Sequence, residues 1–433
     1  MQTIINFLLN HTPLFYWTQS LWRDEAFSVW ISQDSWAEVI RRTSGDFNPP
    51  LYYLLLNVWM RIFGKTEIAL RGLSVFFFLL FLIAIYYFAL RLFKTQRFAT
   101  VTTLLAALNP MLLYFAFELR MYSLLVLLST LSMYFLWTKQ WRWHVLVTTL
   151  GLYTQPYMLF VLAAQNFYLL VNRQLKRAIV QSATVFLLFL PWVPTLLTQL
   201  KESGPMWMYP VDFNLVQSVL GNIFLGYEGT PGNLWWVTKL VSVVLLLVIF
   251  WLWQQKQKKV EFRLFMSWTF IPIIAVLIVS LVKPIYVHRY LIYCTVGEIF
   301  LLAYFLTTLK NTRAQKLITF TCMVLLIGAN VLTVAFHRKT PIRTAFAEIS
   351  MLLKSGDSVY AASPLIYYEA LYYVSKAPVF LYNPDGISMP RYVGSIGMPP
   401  DTWKSEFPRF PNRAFTIAEN GSYTINSILF KPL

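Results

Sequence analysis

Charged residues, cysteine and histidine are all scarce in this chain of 433 residues. Only 13% of the residues are charged and 57% are hydrophobic, whereas soluble domains carry about 25% charged residues. The two cysteines, Cys294 and Cys322, lie within apolar segments, so we expect buried thiols rather than a disulfide or a metal pair. Four scattered histidines do not supply a zinc cluster, and no cleavable signal peptide is evident. This composition predicts a polytopic membrane protein.

Acidic residues are outnumbered, with 19 Asp and Glu against 36 Lys and Arg and a net charge of +17. In a soluble protein this excess would suggest nucleic-acid binding. Here the basic residues fall in short clusters between apolar segments, at 91–97, 139–142, 173–177, 256–263 and 310–316, accompanied by one acid, Glu261. That arrangement is typical of cytoplasmic loops under the positive-inside rule. The charge therefore reports membrane topology, and we expect no nucleic-acid partner.

Long apolar segments occur eleven times, at 2–17, 68–90, 98–116, 121–138, 143–155, 157–171, 178–199, 237–253, 264–282, 288–308 and 317–336. A spanning helix needs about 17–25 residues. Segments 143–155 and 157–171 are shorter, and could be two tilted spans or one broken span. All five basic clusters lie on one side of the membrane only if the chain crosses it twice between residues 143 and 171. The sequence thus predicts eleven spans with the N-terminus inside, although 2–17 could be a short or re-entrant helix.

The predicted outer side holds the segments 18–67, 200–236 and 337–433. We expect a helix near 35–43 to lie in the membrane interface. After 337, strand-like and helix-like pieces alternate with turn residues, which predicts a small mixed α/β domain. The expected fold is an all-α polytopic membrane protein, with a transmembrane domain over 1–336 and a small extracytoplasmic α/β domain over 337–433.

Adjacent carboxylates in the first outer segment, Asp24 and Glu25, are the leading catalytic candidates. Charged groups beside hydrocarbon are costly and are retained for function. Neighbouring residues point to different sides of a helix or strand, so the two carboxylates are not expected to share a proton. One can face a site while the other positions it. The alternative is that Asp24 is an ordinary N-terminal cap of a helix that begins near Ala26.

Other candidates lie near predicted outer ends of spans. Asn48 opens the stiff run Asn48-Pro49-Pro50, which could equally be a rigid start to an apolar helix. Arg71 could hold a phosphate or pair with Glu67 one turn away on the same helix face.

Two further clusters carry cations. Glu118, Arg120 and Tyr122 could converge on a substrate if the backbone is extended, or Glu118 and Arg120 could be a structural pair. Lys283, His288 and Arg289 stand at the mouth of another span. They could bind a phosphate, or Lys283 and Arg289 could extend to lipid headgroups.

These motifs, in this order, resemble the membrane-embedded C-class glycosyltransferases, in particular the protein-mannosyltransferase and aminoarabinose-transferase-like group. The resemblance spans roughly residues 20–290. The matching positions are 21–28, 48–53, 69–71, 118–122 and 289–290. The chain departs from many relatives in having Asn48 where they have histidine, and in its shorter and more polar first helix.

The resemblance implies inverting transfer of a sugar, a hexose or a pentose, from a polyprenyl-phosphate donor to an acceptor on the outer face. It implies that Asp24 is the base and that Glu25 positions it or contacts a divalent cation. Whether such a cation is a cofactor is left open. Arg120, Tyr122 and Arg289, with Arg71 and Lys283, become donor-phosphate candidates, and Asn48, Glu118 and His288 substrate-positioning candidates. The acceptor, whether lipid, glycan or protein, is not implied.

Rival functions are a lipid-linked sugar flippase or transporter and an oligosaccharide polymerase or ligase. Transporters tend to show internal repeats and mid-membrane polar residues. This chain shows no evident repeat, and its acids concentrate on the predicted outer face, which favours the transferase.

Overall fold

The structure is a computed structural model that describes residues 9–201, 208, 210–226, 234–255 and 260–429. Part of the predicted span 2–17 and the basic residues Lys256, Lys258 and Lys259 lie outside the described residues.

Helices make up most of the described chain. They are α1 (Phe15–Thr18), α2 (Arg23–Ser32), α3 (Trp36–Gly45), α4 (Leu51–Phe63), α5 (Glu67–Phe93), α6 (Gln96–Ala107), α7 (Pro110–Ala116), α8 (Tyr122–Trp137), α9 (Trp141–Thr154), α10 (Met158–Val171), α11 (Leu175–Phe189), α12 (Val193–Lys201), α13 (Phe213–Leu225), α14 (Trp235–Gln254), α15 (Val260–Ser280), α16 (Ile292–Thr308), α17 (Thr312–Phe336), α18 (Ile342–Leu352) and α19 (Tyr367–Tyr373). Short 3-10 helices at Leu190–Trp192 and His288–Leu291 precede α12 and α16.

Six helical segments in the described part are long and apolar enough to cross a membrane: 67–93, 175–201, 235–254, 260–280, 288–308 and 312–334. Helices α6 and α7, bent by 64° at their junction, would form a seventh span. The apolar helices α8 and α10 are shorter, and both coincide with predicted spans. The prediction of an all-α polytopic membrane protein is confirmed, while the number eleven stays a prediction. Helix α13, also apolar, lies in a segment predicted to be an outer loop.

Basic residues end two of the shorter apolar helices in the same way. Lys139 after α8 and Arg173 after α10 have φ of 58° and 59°. The next residues, Gln140 and Gln174, donate their N–H groups to the carbonyls of Phe135 and Leu169. This is the Schellman arrangement, in which a left-handed residue turns the chain and satisfies the last carbonyls of a helix. The cations also lie at the negative end of the helix dipole, so the predicted cytoplasmic clusters have a local structural role as well.

The chain divides into two compact units. The first comprises Met1–Trp17, Arg71–Pro194 and Trp207–His337, and the second comprises Thr18–Leu70, Thr195–Met206 and Arg338–Leu433. The second unit thus combines the first predicted outer segment with the C-terminal domain. The predicted domain boundary at 336/337 remains a prediction.

Aromatic residues fill part of the core of the first unit. The ring of Phe300 on α16 lies 5.1 Å from the ring of Phe88 on α5 and stacks at 5.1 Å on Phe265 of α15. Trp268, one turn further along α15, has no exposed surface. Such aromatic pairs prefer edge-to-face or offset geometries and add to the burial of apolar area. Three long helices are therefore held together by one aromatic cluster.

The C-terminal part of the second unit contains a five-stranded sheet in the order β3-β2-β1-β4-β5. Its strands are β1 (Ser358–Ala361), β2 (Val379–Tyr382), β3 (Trp403–Lys404), β4 (Ala414–Ile417) and β5 (Tyr423–Asn426). The first four strands pair in parallel, and β5 pairs antiparallel to β4. The buried carboxylate of Asp357 accepts hydrogen bonds from the Arg413 amide and guanidinium, which fixes the edge of β1 beside β4. The predicted small α/β domain is present, with α19 following β1.

Candidate active site

Helix α2 presents the acidic pair within its first turn. Trp22 precedes the helix in an extended conformation, with φ −108° and ψ 169°, and Asp24 and Glu25 follow inside the first turn. Carboxylates there stabilise the positive end of the helix dipole. The helix begins at Arg23, so the expected start near Ala26 was too late. Asp24 occupies the second helical position and not the cap position.

Asp24 is held by its own neighbour. Nε and Nη2 of Arg23 lie 3.1 Å and 3.0 Å from Asp24 Oδ1. The Asp24 side chain keeps 16% of its surface exposed and that of Arg23 keeps 27%. The guanidinium fixes the carboxylate while a part of it still faces solvent. This arrangement suits a group that must accept a proton from an incoming substrate.

Glu25 is in a different environment from Asp24. Its side chain has no exposed surface, and Lys339 Nζ lies 3.0 Å from its Oε2. The same oxygen accepts from the backbone N–H of Trp22 at 3.4 Å, and Lys339 lies 5.4 Å from the centre of the Trp22 ring. A buried carboxylate paired in this way is a structural anchor, because breaking the pair leaves an uncompensated buried charge.

A third carboxylate, Glu369, comes from α19 in the C-terminal part of the same unit. Its side chain is buried and within electrostatic range of Arg23 and Asp24. Burial is the main cause that raises its pKa to about 8, with Asp24 and Glu419 adding to the rise and Arg23 opposing it. Sequence reasoning did not find Glu369, since it lies hundreds of residues away from Asp24 in a segment without a recognised motif.

The Asn48-Pro49-Pro50 run has a local structural role. Asn48 Nδ2 donates to Asp46 Oδ2 at 3.1 Å, and Pro50 is the N-cap residue of α4. This geometry is compatible with the alternative of a rigid start to an apolar helix, and the substrate-positioning role of Asn48 stays a prediction.

Glu67 and Arg71, the two residues considered as a pair, both have polar partners in the structure. Glu67 accepts hydrogen bonds from Arg343 and from the hydroxyl of Tyr373. In the first unit, Arg71 has no exposed surface and its Nη1 donates to the carbonyl of Trp17 at 3.1 Å.

Two of the cationic candidates of the first unit, Arg120 and Arg289, lie within electrostatic range of one phenol. Tyr122, the first residue of α8 and 1% exposed, interacts electrostatically with both Arg120 and Arg289. Its ring also lies 6.4 Å from that of Tyr290. Planar guanidinium groups suit bidentate contacts to phosphate oxygens.

The remaining candidates flank this cluster. Glu118 and Arg120 are buried in the turn between α7 and α8, where the Glu118 carbonyl accepts from Ser74 Oγ at 2.6 Å. The Glu118 carboxylate is within electrostatic range of Tyr122. His288 is 4% exposed, with its ring 6.2 Å from that of Phe115. Lys283 lies five residues before His288, in the segment that links α15 to the second 3-10 helix. Glu118, Arg120 and Tyr122 are thus every second residue of one short stretch of the chain.

Both carboxylates of the acidic motif have basic partners in the structure. Over the described ranges, no three His, Cys, Asp or Glu residues are placed to hold an ion together. Glu25 is engaged by Lys339, and Asp24 by Arg23. A carboxylate such as Asp24 can accept a proton, and guanidinium groups such as those of Arg120 and Arg289 can bind an anion.

Comparison with known proteins agrees with this architecture. Residues 48–197 match the family model described as dolichyl-phosphate-mannose-protein mannosyltransferase. No curated protein sequence matches the chain. Among solved structures, the apo state of ArnT from Cupriavidus metallidurans aligns with TM-score 0.63 and 13% identity, over 96% of this chain and 93% of that chain. ArnT from the same organism bound to undecaprenyl phosphate aligns with TM-score 0.61 and 14% identity, over 96% and 93%.

The fold and the family match define the class of this protein, a multi-pass integral membrane protein with the C-class glycosyltransferase fold. The predicted resemblance to protein mannosyltransferases and aminoarabinose transferases is supported over residues 48–197 by the family match, and the fold agrees with it. The predicted activity of a membrane glycosyltransferase agrees with the same match.

Proposed function

We propose that the chain moves a single hexosyl or pentosyl group, with inversion, from a polyprenyl phosphate to a hydroxyl group of an acceptor on the extracytoplasmic face. Asp24 is the base in this proposal. The observation that carries it is the contrast between two adjacent carboxylates. Glu25 is fully buried and paired with Lys339, whereas Asp24 is partly exposed and oriented by Arg23.

One carboxylate is sufficient for the transfer step. Asp24 takes the proton of the acceptor hydroxyl as its oxygen forms a bond to the anomeric carbon of the sugar. The bond between that carbon and the phosphate oxygen breaks, and its electron pair leaves with the lipid phosphate. Because a phosphate is already a good leaving group, no second carboxylate is needed as an acid, in contrast to glycoside hydrolysis. Orientation and stabilisation of charge supply the rest.

The departing phosphate is assigned to Arg120 and Arg289, which share Tyr122 as a neighbour. Bidentate guanidinium contacts would stabilise the charge that develops on the phosphate oxygens. Arg71 and Lys283 are reserve candidates for the same role. Glu118, His288 and Asn48 are proposed to position the substrates and the turns around them.

A donor panel tests this function. Purified protein in detergent would be incubated with radiolabelled polyprenyl-phosphate hexoses and pentoses, with and without a chelator, and with membrane extract as the source of acceptors. We expect one donor to be consumed, with release of polyprenyl phosphate and transfer of the label to an acceptor. Label that crosses a vesicle membrane while it stays on the lipid would instead indicate a flippase. Transfer of whole lipid-linked chains would indicate a polymerase or ligase.

A further inference from the structure

An open cavity of about 750 Å³ lies within the second compact unit. Its walls are formed by α2, by the segment 65–67 that leads into α5, by Arg343 of α18 and by the C-terminal part of α19. All of these residues belong to that one unit. Small-molecule sites in proteins typically measure about 300–1,000 Å³, so the cavity has the size of a ligand site.

The cavity and the acidic motif lie on different faces of α2. Ala26, Val29, Trp30 and Gln33, at the end of that helix, line the cavity. Their spacing of three and four residues puts them on one face. Asp24 precedes Ala26 by two positions, and at 3.6 residues per turn it therefore projects from roughly the opposite side of the helix. The cavity is thus separate from the partly exposed carboxylate of Asp24.

Polar contacts fix the walls of the cavity in place. Glu67 is 9% exposed and accepts hydrogen bonds from the guanidinium of Arg343 and from the hydroxyl of Tyr373. The neighbouring Tyr372 donates its hydroxyl to the backbone carbonyl of Lys65 at 2.7 Å. These contacts connect the start of α5 to α18 and α19. A ligand that enters therefore finds walls that are already ordered, which lowers the entropic cost of binding.

Aromatic rings form the side of the cavity next to α2. The ring of Trp30 lies 5.5 Å from that of Tyr368 and stacks on Phe27 at 6.0 Å. Arg42 Cζ lies 4.2 Å from the centre of the Trp30 ring, so the indole is held from α3 as well. Trp30 still keeps part of its surface exposed. A fixed and partly exposed indole offers an apolar face together with a polar edge, and the C–H groups of a sugar ring pack well on such a face.

The rim of the cavity is positively charged. Lys65 and Gln33 are exposed, and the Arg343 side chain keeps 52% of its surface exposed. Among the described residues that line the cavity, Glu67 is the one acid, and its carboxylate is already paired with Arg343. The charge that remains is that of the Lys65 ammonium, a donor that suits an anionic group.

We propose that this cavity is a binding site for an acidic saccharide, a pyranose ring that carries a phosphate or carboxylate group. The aromatic side receives the ring, Gln33 reaches its hydroxyl groups, and Lys65 binds its anionic group. Tryptophan and lysine also anchor proteins in lipid headgroups, but such anchors do not need a concave site with fixed polar walls. The binding goes beyond the proposed transfer and does not require that Asp24 be the base.

Equilibrium dialysis tests the binding directly. The full chain in detergent would be dialysed against radiolabelled glucose 6-phosphate, with glucuronate, glucose and inorganic phosphate as competitors. We expect glucose 6-phosphate to bind and glucuronate to displace it, since both combine a pyranose ring with an anionic group. Glucose and inorganic phosphate, which each lack one of the two features, should compete more weakly. Inorganic phosphate that competes as well as glucose 6-phosphate would overturn the proposal.

Variants then locate the site. Lys65→Ala should raise Kd for glucose 6-phosphate about 5-fold, the most that an exposed ion pair usually contributes, and Lys65→Arg should keep the parental Kd. Trp30→Leu should raise Kd about 10-fold through loss of the ring. Lys376→Ala, which removes an exposed lysine of the same unit, is the control, and Arg120→Ala tests the assigned donor-phosphate site. Neither should change Kd.

Thermal unfolding midpoints would show which variants fold. Folded Lys65→Ala and Trp30→Leu proteins that bind as tightly as the parental protein would overturn the proposal. So would an Arg120→Ala protein that loses as much affinity as Lys65→Ala, because the saccharide would then occupy the assigned donor site. The donor panel and this dialysis are independent, so a protein that consumes no donor and still binds glucose 6-phosphate would overturn the proposed function alone.

Nanodiscs identify the source of the saccharide. An acidic glycolipid, glucuronosyl diacylglycerol, that displaces the labelled sugar better than free glucuronate would assign the site to a lipid headgroup. Equal displacement by the two would assign it to a soluble saccharide, and either result supports the proposal. Displacement by phosphatidylglycerol, an anionic lipid without a sugar ring, to the same extent as by the glycolipid would overturn saccharide recognition and indicate a membrane anchor.

Discussion

Lys339 Nζ lies 3.0 Å from Oε2 of Glu25, a carboxylate with no exposed side-chain surface. This buried pair joins the first turn of α2 to the segment before α18, within one compact unit. It occupies the second carboxylate of the acidic motif, and the first, Asp24, is the base in the proposed function.

Breaking this pair should destabilise the fold. Lys339→Met leaves the Glu25 charge buried without its lysine, and we expect a loss of about 3–5 kcal/mol in the free energy of unfolding. The double variant Glu25→Gln with Lys339→Met should recover most of that loss, since no charge is then buried. Unfolding of the detergent-solubilised protein measures both, with Lys376→Met, an exposed lysine of the same unit, as the control. A single Lys339→Met variant as stable as the control would contradict the role of the pair.

Removal of a guanidinium group near Tyr122 should weaken donor binding. Arg120→Ala and Arg289→Ala each remove one cation from the surroundings of the same phenol. A charge-assisted hydrogen bond contributes about 1.5–3 kcal/mol, so we expect KM for the donor to rise about 10- to 100-fold. Arg313→Ala, at an exposed position near the start of α17, is the control. An unchanged KM in both variants would remove these arginines from the phosphate site.

Close packing of α13 on α14 should be sensitive to one methyl group. A Cβ added at Gly221 would lie 2.0 Å from the backbone oxygen of Thr238, so the two helices would have to separate. We expect Gly221→Ala to lower stability by about 1–3 kcal/mol. Gly328→Ala is the matched control, because nothing lies within 4 Å of its added Cβ. Equal thermal unfolding midpoints for the two variants would show that α13 does not pack on α14 as described.

Topology can be measured by cysteine accessibility in a background without Cys294 and Cys322. Eleven spans place Ser363 of the C-terminal domain outside and Gln140 after α8 inside. A membrane-impermeant maleimide should therefore label Ser363→Cys in intact cells, and Gln140→Cys only after permeabilisation. Labelling of Gln140→Cys in intact cells, or protection of Ser363→Cys, would invalidate the predicted arrangement.

Local features of this fold are readable from the sequence, and distant pairings are not. Apolar runs long enough to span a membrane, such as the one that becomes α5, are visible because hydropathy is a property of the run itself. The basic clusters that contain Lys139 and Arg173 are also recognisable, because each is a contiguous stretch of the sequence. The Asp24 motif is recognisable because its residues are contiguous.

The partners of that motif could not be predicted from the sequence. Lys339 is 314 positions from Glu25, and Glu369 lies in a helix whose sequence, rich in tyrosine, gives no sign of a catalytic neighbour. Only the fold brings them to α2. That Arg120 and Arg289 come together could be hypothesised from their positions at predicted span ends, and both lie within electrostatic range of the Tyr122 phenol.

Substitution of the base itself tests the central claim most directly. Asp24→Asn preserves the shape of the side chain and removes its capacity to accept a proton, while Asp385→Asn changes an exposed acid of the C-terminal domain as the control. The account predicts that Asp24→Asn folds, binds the donor as the parental protein does, and loses about 10²–10⁴-fold in kcat. An Asp24→Asn protein that folds, binds the donor and transfers sugar at the parental rate would contradict the account.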